Sequence, residues 1–444
     1  MPTTDTQPST GVQLFERAKQ LMPVGVQLFS KKPEGVLPDQ WPTYYSRAEG
    51  CHVWDLDGRR YVDMMQTSIG ATLLGACDPD VSAAVISAVE KGTMSTLNAP
   101  EEVELAQLLV DIHPWADMVR YARTGGEAMA VAVRIARAFT GRDTLAVCGY
   151  HGWSDWYIAV NLGQESGLDG IMLPGVPTAG VPRALAGTAL AYRYNHIEEL
   201  EAIAAEHGDQ LAAITIEPIR SDQPIDGFLE GVRAIADRTG AVLIVDEITA
   251  GFRMVFGGSH QLFSLEPDIA VYAKSISNGH PMGAIVGKRN VMMAAGRSFI
   301  SSLYWTDRVG PVAALASIRK FKEMNVAEHV THIGTRLQGL FRDTAAKVGI
   351  KLRVFGPPSL LNFAFEYGDQ SDAVATLYTQ EMLDRGYLAA MSIYPTFAHT
   401  DAIVDDFAPV LEEVLAVLAD AVEKDNVMSR LRGPVKGMKL GRLT

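Results

Sequence analysis

Apolar residues recur along this chain in two rhythms. From about Gly126 to Phe139, Met129, Val133 and Ala136 repeat at helical spacing and mark one buried face. The same rhythm predicts a helix near Asp405–Lys424, and another from about Val12 to Met22, ended by Pro23 and Gly25. The second rhythm is a set of short apolar runs: TLAVCG (144–149), LAAITIE (211–217), AVLIVDE (241–247) and DIAVYAK (268–274). Each is bounded by polar or turn residues, and helical patterns separate them. That alternation predicts an α/β fold with a mostly parallel sheet covered on both faces. Nearer the start, two β-like runs flank Asp57-Gly58 within CHVWDLDGRRYVDMM, the signature of a hairpin. Residues 1–10 read as disordered, and no internal repeat or low-complexity block is present. The expected plan is a large domain over 66–324, with a smaller α/β domain assembled from 1–65 and 325–444.

Composition narrows the function classes. The 444 residues suit one large domain with a companion, and 48% hydrophobic content supplies ample core. The formal net charge is −13 and no Lys/Arg-rich run stands out, which disfavours nucleic acid as a partner. The acidic balance is compatible with a cationic substrate and equally with a solvated acidic surface. Cys51, Cys77 and Cys148 form no CxxC pair, so neither a metal site nor a disulfide framework is expected. The polar start MPTTDTQPST lacks the apolar core of a signal peptide. No stretch approaches the ~20 apolar residues of a membrane span. The expectation is a soluble, cytoplasmic protein.

The candidate chemistry sits where apolar runs stop. AVLIVDE ends in Asp246 and Glu247, and ligands of open α/β sheets bind outside the carboxyl ends of the strands. DIAVYAK ends in Lys274, 28 residues after Asp246, enough for one crossover between neighbouring strands. A lysine there is either simply solvated or a partly desolvated amine suited to Schiff-base chemistry. Thr124, Gly125 and Gly126 precede a helix, where free N–H groups bind phosphate. They also read as an ordinary helix cap. Tyr150, His151, Trp153 and Trp156 follow the strand ending near Cys148 and either stack on a flat heterocycle or pack. His151 alone is not read as a catalyst, and His280 beside Pro281 reads as structural. No GxGxxG follows an early strand, which disfavours a dinucleotide-binding dehydrogenase.

Taken together, TGGEA, YHGW, IEP, VDEI, AKSISNGHPMGA and YWTDRVGP resemble the class III, fold type I aminotransferases that use pyridoxal 5′-phosphate (PLP). The resemblance spans nearly the whole chain and is nearest to the glutamate-1-semialdehyde aminomutase subgroup. It implies that Lys274 carries the cofactor as a Schiff base and that Asp246 pairs with the pyridine nitrogen. It places Ile248 and Tyr150 on opposite faces of the ring. Thr124, Gly125 and Gly126 match the phosphate cup, Glu217 a glutamate close to the cofactor, and Thr306 a threonine that reaches the phosphate from the neighbouring subunit. A homodimer is thereby implied. Three positions depart from the family pattern. Serine-glycine-threonine has become Thr124-Gly125-Gly126. Glycine-asparagine-proline has become Val309-Gly310-Pro311. Lys31 stands in MPVGVQLFSK where the aminomutases present a carboxylate-gripping arginine, and a point-charge ammonium replaces a bidentate guanidinium poorly.

The YHGW and YWT segments resemble aminotransferases acting on oxidised sugars in aminoglycoside antibiotic biosynthesis. The implied activity is transfer of an amino group from a donor, L-glutamate, to an oxo-sugar or oxo-aminoglycoside acceptor, with Lys274 moving the proton. The alternative is a PLP isomerase, an aminomutase or an epimerase at an amine-bearing carbon, which needs no external donor. A dehydratase-like variant is a further use of the same carbanion chemistry. A non-enzymatic binding protein on this fold is disfavoured, because Lys274 and Asp246 are both intact. Lys31, Trp153 and Tyr304 are candidates for the acceptor pocket.

Overall fold

In a computed structural model, the described residues are 9–163, 167–169, 171 and 175–437. They form two compact units. One gathers the chain up to Ile69, Leu73–Asp78 and the chain from His329; the other gathers Gly70–Thr72 and Pro79–Glu328.

The first unit opens with the helix Thr10–Leu21, whose N-cap Ser9 accepts from the Val12 N–H at 3.3 Å. That cap starts the helix inside the stretch read as disordered, which corrects the reading for residues 9 and 10; residues 1–8 lie outside the described residues. Strands β1 (Tyr45–Glu49), β2 (His52–Asp55) and β3 (Arg60–Met64) follow as antiparallel neighbours. The Asp57-Gly58 turn joins β2 to β3, and Gly58 takes φ 82°, the left-handed region the turn requires.

The second unit holds a seven-stranded sheet. Its strands are β4 (Met118–Ala122), β5 (Thr144–Cys148), β6 (Ala189–Ala191), β7 (Leu211–Ile216), β8 (Val242–Asp246), β9 (Ile269–Tyr272) and β10 (Gly283–Gly287), in the order β4-β10-β9-β8-β7-β5-β6. Strands β6 to β9 run parallel through β5, β7 and β8, whereas β10 pairs antiparallel with both β9 and β4. Alternation sorts each strand's side chains between two layers. In β8, Val242 and Ile244 pack with the helix Gly125–Thr140, while Leu243 and Val245 pack with Phe228 and Val232 of the opposite layer. Both faces are therefore dry, which explains the continuous apolar runs.

Past residue 328 the chain returns to the first unit. Strands β11 (Leu352–Phe355), β12 (Leu361–Phe365), β13 (Tyr387–Ala389) and β14 (Ser392–Ile393) appear there, with β13 pairing parallel to β3. Phe341, Phe363, Tyr378 and Phe407 pack at the centre of this unit's core. The last long helix spans Asp401–Glu423, four residues earlier than its apolar rhythm predicts, because the Thr400 hydroxyl caps it. Among the described residues no helix is long and apolar enough to cross a membrane.

Candidate active site

The register of the central sheet brings distant segments into one row. Cys148 of β5 pairs with Ile216 of β7, Ile216 with Val245 of β8, and Asp246 with Val271 of β9. The residues that leave these strands next are Tyr150 and His151, Glu217, Asp246 itself, and Lys274. Because β10 runs the other way, its start at Gly283 pairs with Ala122, which brings the end of β4 and the turn Thr124–Gly126 to the same edge. A cavity of about 460 Å³ opens there. Thr124, Gly125, Gly126, Tyr150, Asp246, Ile248 and Lys274 all line it, as do Arg123, His151, Trp153, Thr249 and His280.

Lys274 follows β9 with φ 48°, in the left-handed region that a lysine seldom adopts. Such a residue costs of order 1–3 kcal/mol and persists only when its surroundings hold it. Ser275 donates to the Gly251 carbonyl at 3.0 Å, and the Ile276 N–H closes a turn onto Ala273 O at 3.2 Å. The ammonium donates to Thr249 Oγ1 at 2.8 Å. Burial pulls the Lys274 pKa down to about 8, aided by the charge of Arg220 and opposed by Glu217 and Asp246. At pH 7 about a tenth of this amine is therefore neutral, a few hundredfold more than for an ordinary lysine.

Asp246 is 2% exposed. Its Oδ1 accepts from the Ile248 N–H at 2.9 Å, and its Oδ2 lies 2.8 Å from His151 Nδ1. The other nitrogen of His151, Nε2, lies 3.0 Å from the Cys148 carbonyl. A carbonyl only accepts, so Nε2 must carry hydrogen. The contact from Nδ1 to Oδ2 then needs a proton of its own, on the imidazole or on the carboxyl. Burial pushes the Asp246 pKa up, against the His151 contact that lowers it. A cation placed on the open side of the carboxylate would offset that burial.

Beside this pair, Gly149 takes φ 103°, and a Cβ there would meet Glu217 Oε2 at 2.8 Å. The missing side chain lets the Glu217 carboxylate accept from the Tyr150 N–H at 3.0 Å. Arg220 Nη1 sits 3.2 Å from both Glu217 oxygens and its guanidinium lies 6.0 Å from the centre of the Tyr150 ring. Burial alone would raise the Glu217 pKa; Arg220, His151 and the Tyr150 N–H outweigh it and hold the group below the usual carboxylate range. Glu217 and Arg220 line a recess of about 140 Å³ with Gly149, Tyr194, Ser221 and Asp222.

The turn before the helix Gly125–Thr140 serves as a cap and as a wall of the cavity. Thr124 Oγ1 accepts from the Glu127 N–H at 3.3 Å, and Glu127 Oε2 accepts from the Thr124 N–H at 3.0 Å. The N–H groups of Gly125 and Gly126 belong to the first turn and have no intrahelical acceptor. A Cβ on Gly125 would approach Ile248 Cδ1 to 3.0 Å. Thr306 lies outside this cavity, exposed on the turn Leu303–Thr306, with its hydroxyl donating to Leu303 O at 2.8 Å. Arg123 fixes that turn from within by donating to the carbonyls of Trp305 and Asp307 at 3.0 and 2.5 Å. Lys31 is exposed on the turn Phe29–Lys31 of the first unit, and Tyr304 is 65% exposed. His280, expected to be structural, lines the cavity, and burial lowers its pKa.

Sequence reasoning missed Thr249, Arg123 and Arg220 and passed over His151. The residue types present fit PLP. One neutral-prone amine, one buried carboxylate with spare lone pairs, two apolar or aromatic ring walls and a glycine-lined helix start share one cavity, which matches an aldehyde, a pyridine nitrogen, a flat ring and a phosphate.

The comparisons with known proteins agree. Residues 36–415 match the family described as aminotransferase class-III, so the chain belongs to the class III aminotransferases, a family of PLP-dependent enzymes on the fold type I architecture. A glutamate-1-semialdehyde 2,1-aminomutase of Desulfovibrio desulfuricans is 34% identical over 429 residues, covering 91% of this chain and 98% of the relative. A 3-aminobutyryl-CoA aminotransferase of Cloacimonas acidaminovorans is 29% identical, covering 92% of this chain and 96% of its own length. The solved structure of the PLP internal aldimine form of the FumI protein of Sphingopyxis sp. MTA144 aligns with a TM-score of 0.83 at 26% identity, covering 95% of this chain and 98% of that one.

Proposed function

We propose that this protein transfers an amino group from an amino-acid donor, L-glutamate, to the carbonyl of an oxo-sugar or oxo-aminoglycoside. The observation that carries the transfer chemistry is the placement of the Lys274 amine and the buried Asp246 carboxylate on one cavity. When bound, PLP supplies an electron sink conjugated with the substrate nitrogen. Lys274 would hold the cofactor, and its amine would take the proton from the amine-bearing carbon of the substrate; an amine with a pKa near 8 is suited to both accepting and returning it. Asp246 would pair with the pyridine nitrogen and keep it protonated. Ile248 and Tyr150 would hold the ring, and the Gly125 and Gly126 N–H groups would receive the phosphate. Glu217 stays ionised against Arg220 and orients the backbone of Tyr150.

The acceptor class rests on the likeness of the Tyr150–Trp153 and Tyr304–Thr306 segments to aminotransferases of oxidised sugars, and on Lys31 standing where a carboxylate-gripping arginine would favour glutamate-1-semialdehyde. A second copy of the chain completes the site in this reading, with Thr306 reaching the neighbour's phosphate. The exposure of Leu303 (69%) and Tyr304 (65%) on the same turn as that threonine supports it, since exposed apolar side chains next to each other favour a protein contact. The aminomutase name of the relatives supports an intramolecular amine shift as the second reading.

The test is absorbance of the purified protein with PLP, before and after L-glutamate. A long-wavelength band that needs Lys274 and moves to shorter wavelength with glutamate supports transfer. A band that ignores glutamate, with turnover of an amine-bearing substrate and no donor, supports the isomerase. No band after PLP addition overturns both.

A further inference from the structure

We propose that the indole N–H of Trp153 stands in for the hydroxyl that the phosphate-binding turn lacks at Gly126. The inference rests on the reading of this cavity as a PLP site and adds a donor to it.

Geometry places the indole where a side chain on residue 126 would go. A Cβ built on Gly126 would lie 3.3 Å from Trp153 Nε1 and 3.4 Å from Trp153 Cδ1. A hydroxyl on residue 126 would lie one bond beyond that point, and the N–H edge of the ring borders the space available to it. Gly152 makes the approach possible. It takes φ 102°, and a Cβ there would meet Gly126 Cα at 3.1 Å. The two glycines thus let the segment carrying Trp153 lie directly against the first turn of the helix.

Neither core packing nor a protein acceptor accounts for the indole. Trp153 lines the cavity yet is 74% exposed, whereas Trp156, three residues on, is 7% exposed. The indole nitrogen of Trp115 donates to His260 at 3.2 Å, but that of Trp153 makes no hydrogen bond to any described residue. An indole nitrogen donates and cannot accept, so a group bound by it must be an acceptor. The neighbouring donors are few. Thr124 Oγ1 is engaged with Glu127, at 3.2 Å as donor and 3.3 Å as acceptor, which leaves the N–H groups of Gly125 and Gly126. A phosphate dianion presents three oxygens and is bound best by several charge-assisted donors. The N–H of Trp153 adds a further donor from the same chain, on the side of Gly126.

The experiment compares PLP with pyridoxal, which has the ring and aldehyde without the phosphate. Both are titrated into cofactor-free wild type, Trp153→Phe, Trp153→Ala and Trp153→Ala/Gly126→Ser, and dissociation constants are read from the absorbance of the lysine-bound cofactor. Phosphorus NMR of bound PLP reports the phosphate directly. We expect Trp153→Phe to weaken PLP about tenfold, the loss of one hydrogen bond to a charged group, and to leave pyridoxal within about twofold. The phosphorus resonance should shift. Gly126→Ser should recover most of the PLP affinity lost in Trp153→Ala, because the space vacated by the indole admits the new hydroxyl. Equal weakening of PLP and pyridoxal would show that the indole acts on the ring by packing and would overturn the proposal. So would unchanged PLP binding in Trp153→Phe, or no recovery by the serine. If wild type itself forms no lysine-bound cofactor, the reading of the site fails and takes this inference with it.

Discussion

Asp246 and Glu247 are consecutive, both nearly sealed from solvent at 2% and 1% exposure, and each touches a histidine. They nevertheless do opposite things. Glu247 accepts four donors: the Ser259 N–H and hydroxyl on Oε2 at 2.9 and 2.8 Å, and the His260 N–H and Nδ1 on Oε1 at 2.8 and 2.7 Å. Asp246 has two partners, one per oxygen, and faces the cavity. The histidines differ as well. His260 Nε2 accepts from the Trp115 indole, so its hydrogen sits on Nδ1 and a neutral ring satisfies Glu247. His151 spends Nε2–H on a carbonyl, so its contact with Asp246 needs one proton more. Burial and a histidine partner therefore do not distinguish a site from a structural tie. Spare acceptor capacity and a surplus proton do.

Substitutions sharpen that contrast. The largest loss belongs to Lys274→Ala, which removes the amine that we propose anchors the cofactor and carries the proton. Single-turnover transfer should fall by at least about 10⁴-fold, the upper end for a general acid–base group. Asp246→Asn keeps the shape and removes the charge; we expect about 10²–10³-fold slower transfer, with the midpoint of denaturant unfolding nearly unchanged. Glu247→Gln should do the reverse. Its amide hydrogens would face the donors of Ser259 and His260, costing about 3 kcal/mol of stability by urea titration, while the transfer rate of the folded fraction stays within a few-fold of wild type. Equal kinetic damage from both substitutions would break the contrast. His151→Phe comes next. It strips one of two partners from Asp246, and PLP affinity measured by fluorescence quenching should drop about tenfold. His260→Phe should instead be seen in stability.

How much of this was legible in the sequence follows from the range of each interaction. The runs ending at Cys148, Ile216, Asp246 and Tyr272 are largely apolar and buried on both faces, so each strand is written locally and stops at or within two residues of a polar or turn residue. Lys274 and Asp246 stood out for that reason. That Asp246 rather than Glu247 faces the cavity was expected only from family resemblance, because both lie at the strand end and only tertiary neighbours separate them. The partner of His151 lies 95 residues away and that of Lys274, Thr249, lies 25 away, in segments joined by sheet register and not by any local pattern. Arg220 reads locally as a loop arginine; its position over Tyr150 depends on β5 and β7 being neighbours. Gly126 looked like a lost hydroxyl until the indole of Trp153 was found beside it.

The gentlest perturbation is pH, and it reads Lys274 without changing any residue. The group's pKa lies near 8 in the folded chain because burial disfavours its charged form. It is therefore protonated and unreactive below that value and neutral above it. The unfolded chain holds its proton up to the ordinary lysine range of about 10.4. Between these two values the unfolded state binds more protons, so the burial penalty, present in full below pH 8, is relieved as pH rises. Two outcomes follow. The rate at which cofactor-free protein captures pyridoxal, which lacks the phosphate's own titration, should climb tenfold per pH unit below about 8 and level off above it. Thr249→Val removes the hydroxyl that accepts from the ammonium at 2.8 Å, so the charged form loses a partner and the midpoint should move lower, by less than about one unit. A midpoint near 10 in the wild type would mean that the amine is solvated, and the contrast between an open, chemically poised strand end and a sealed structural one would then rest on Asp246 alone.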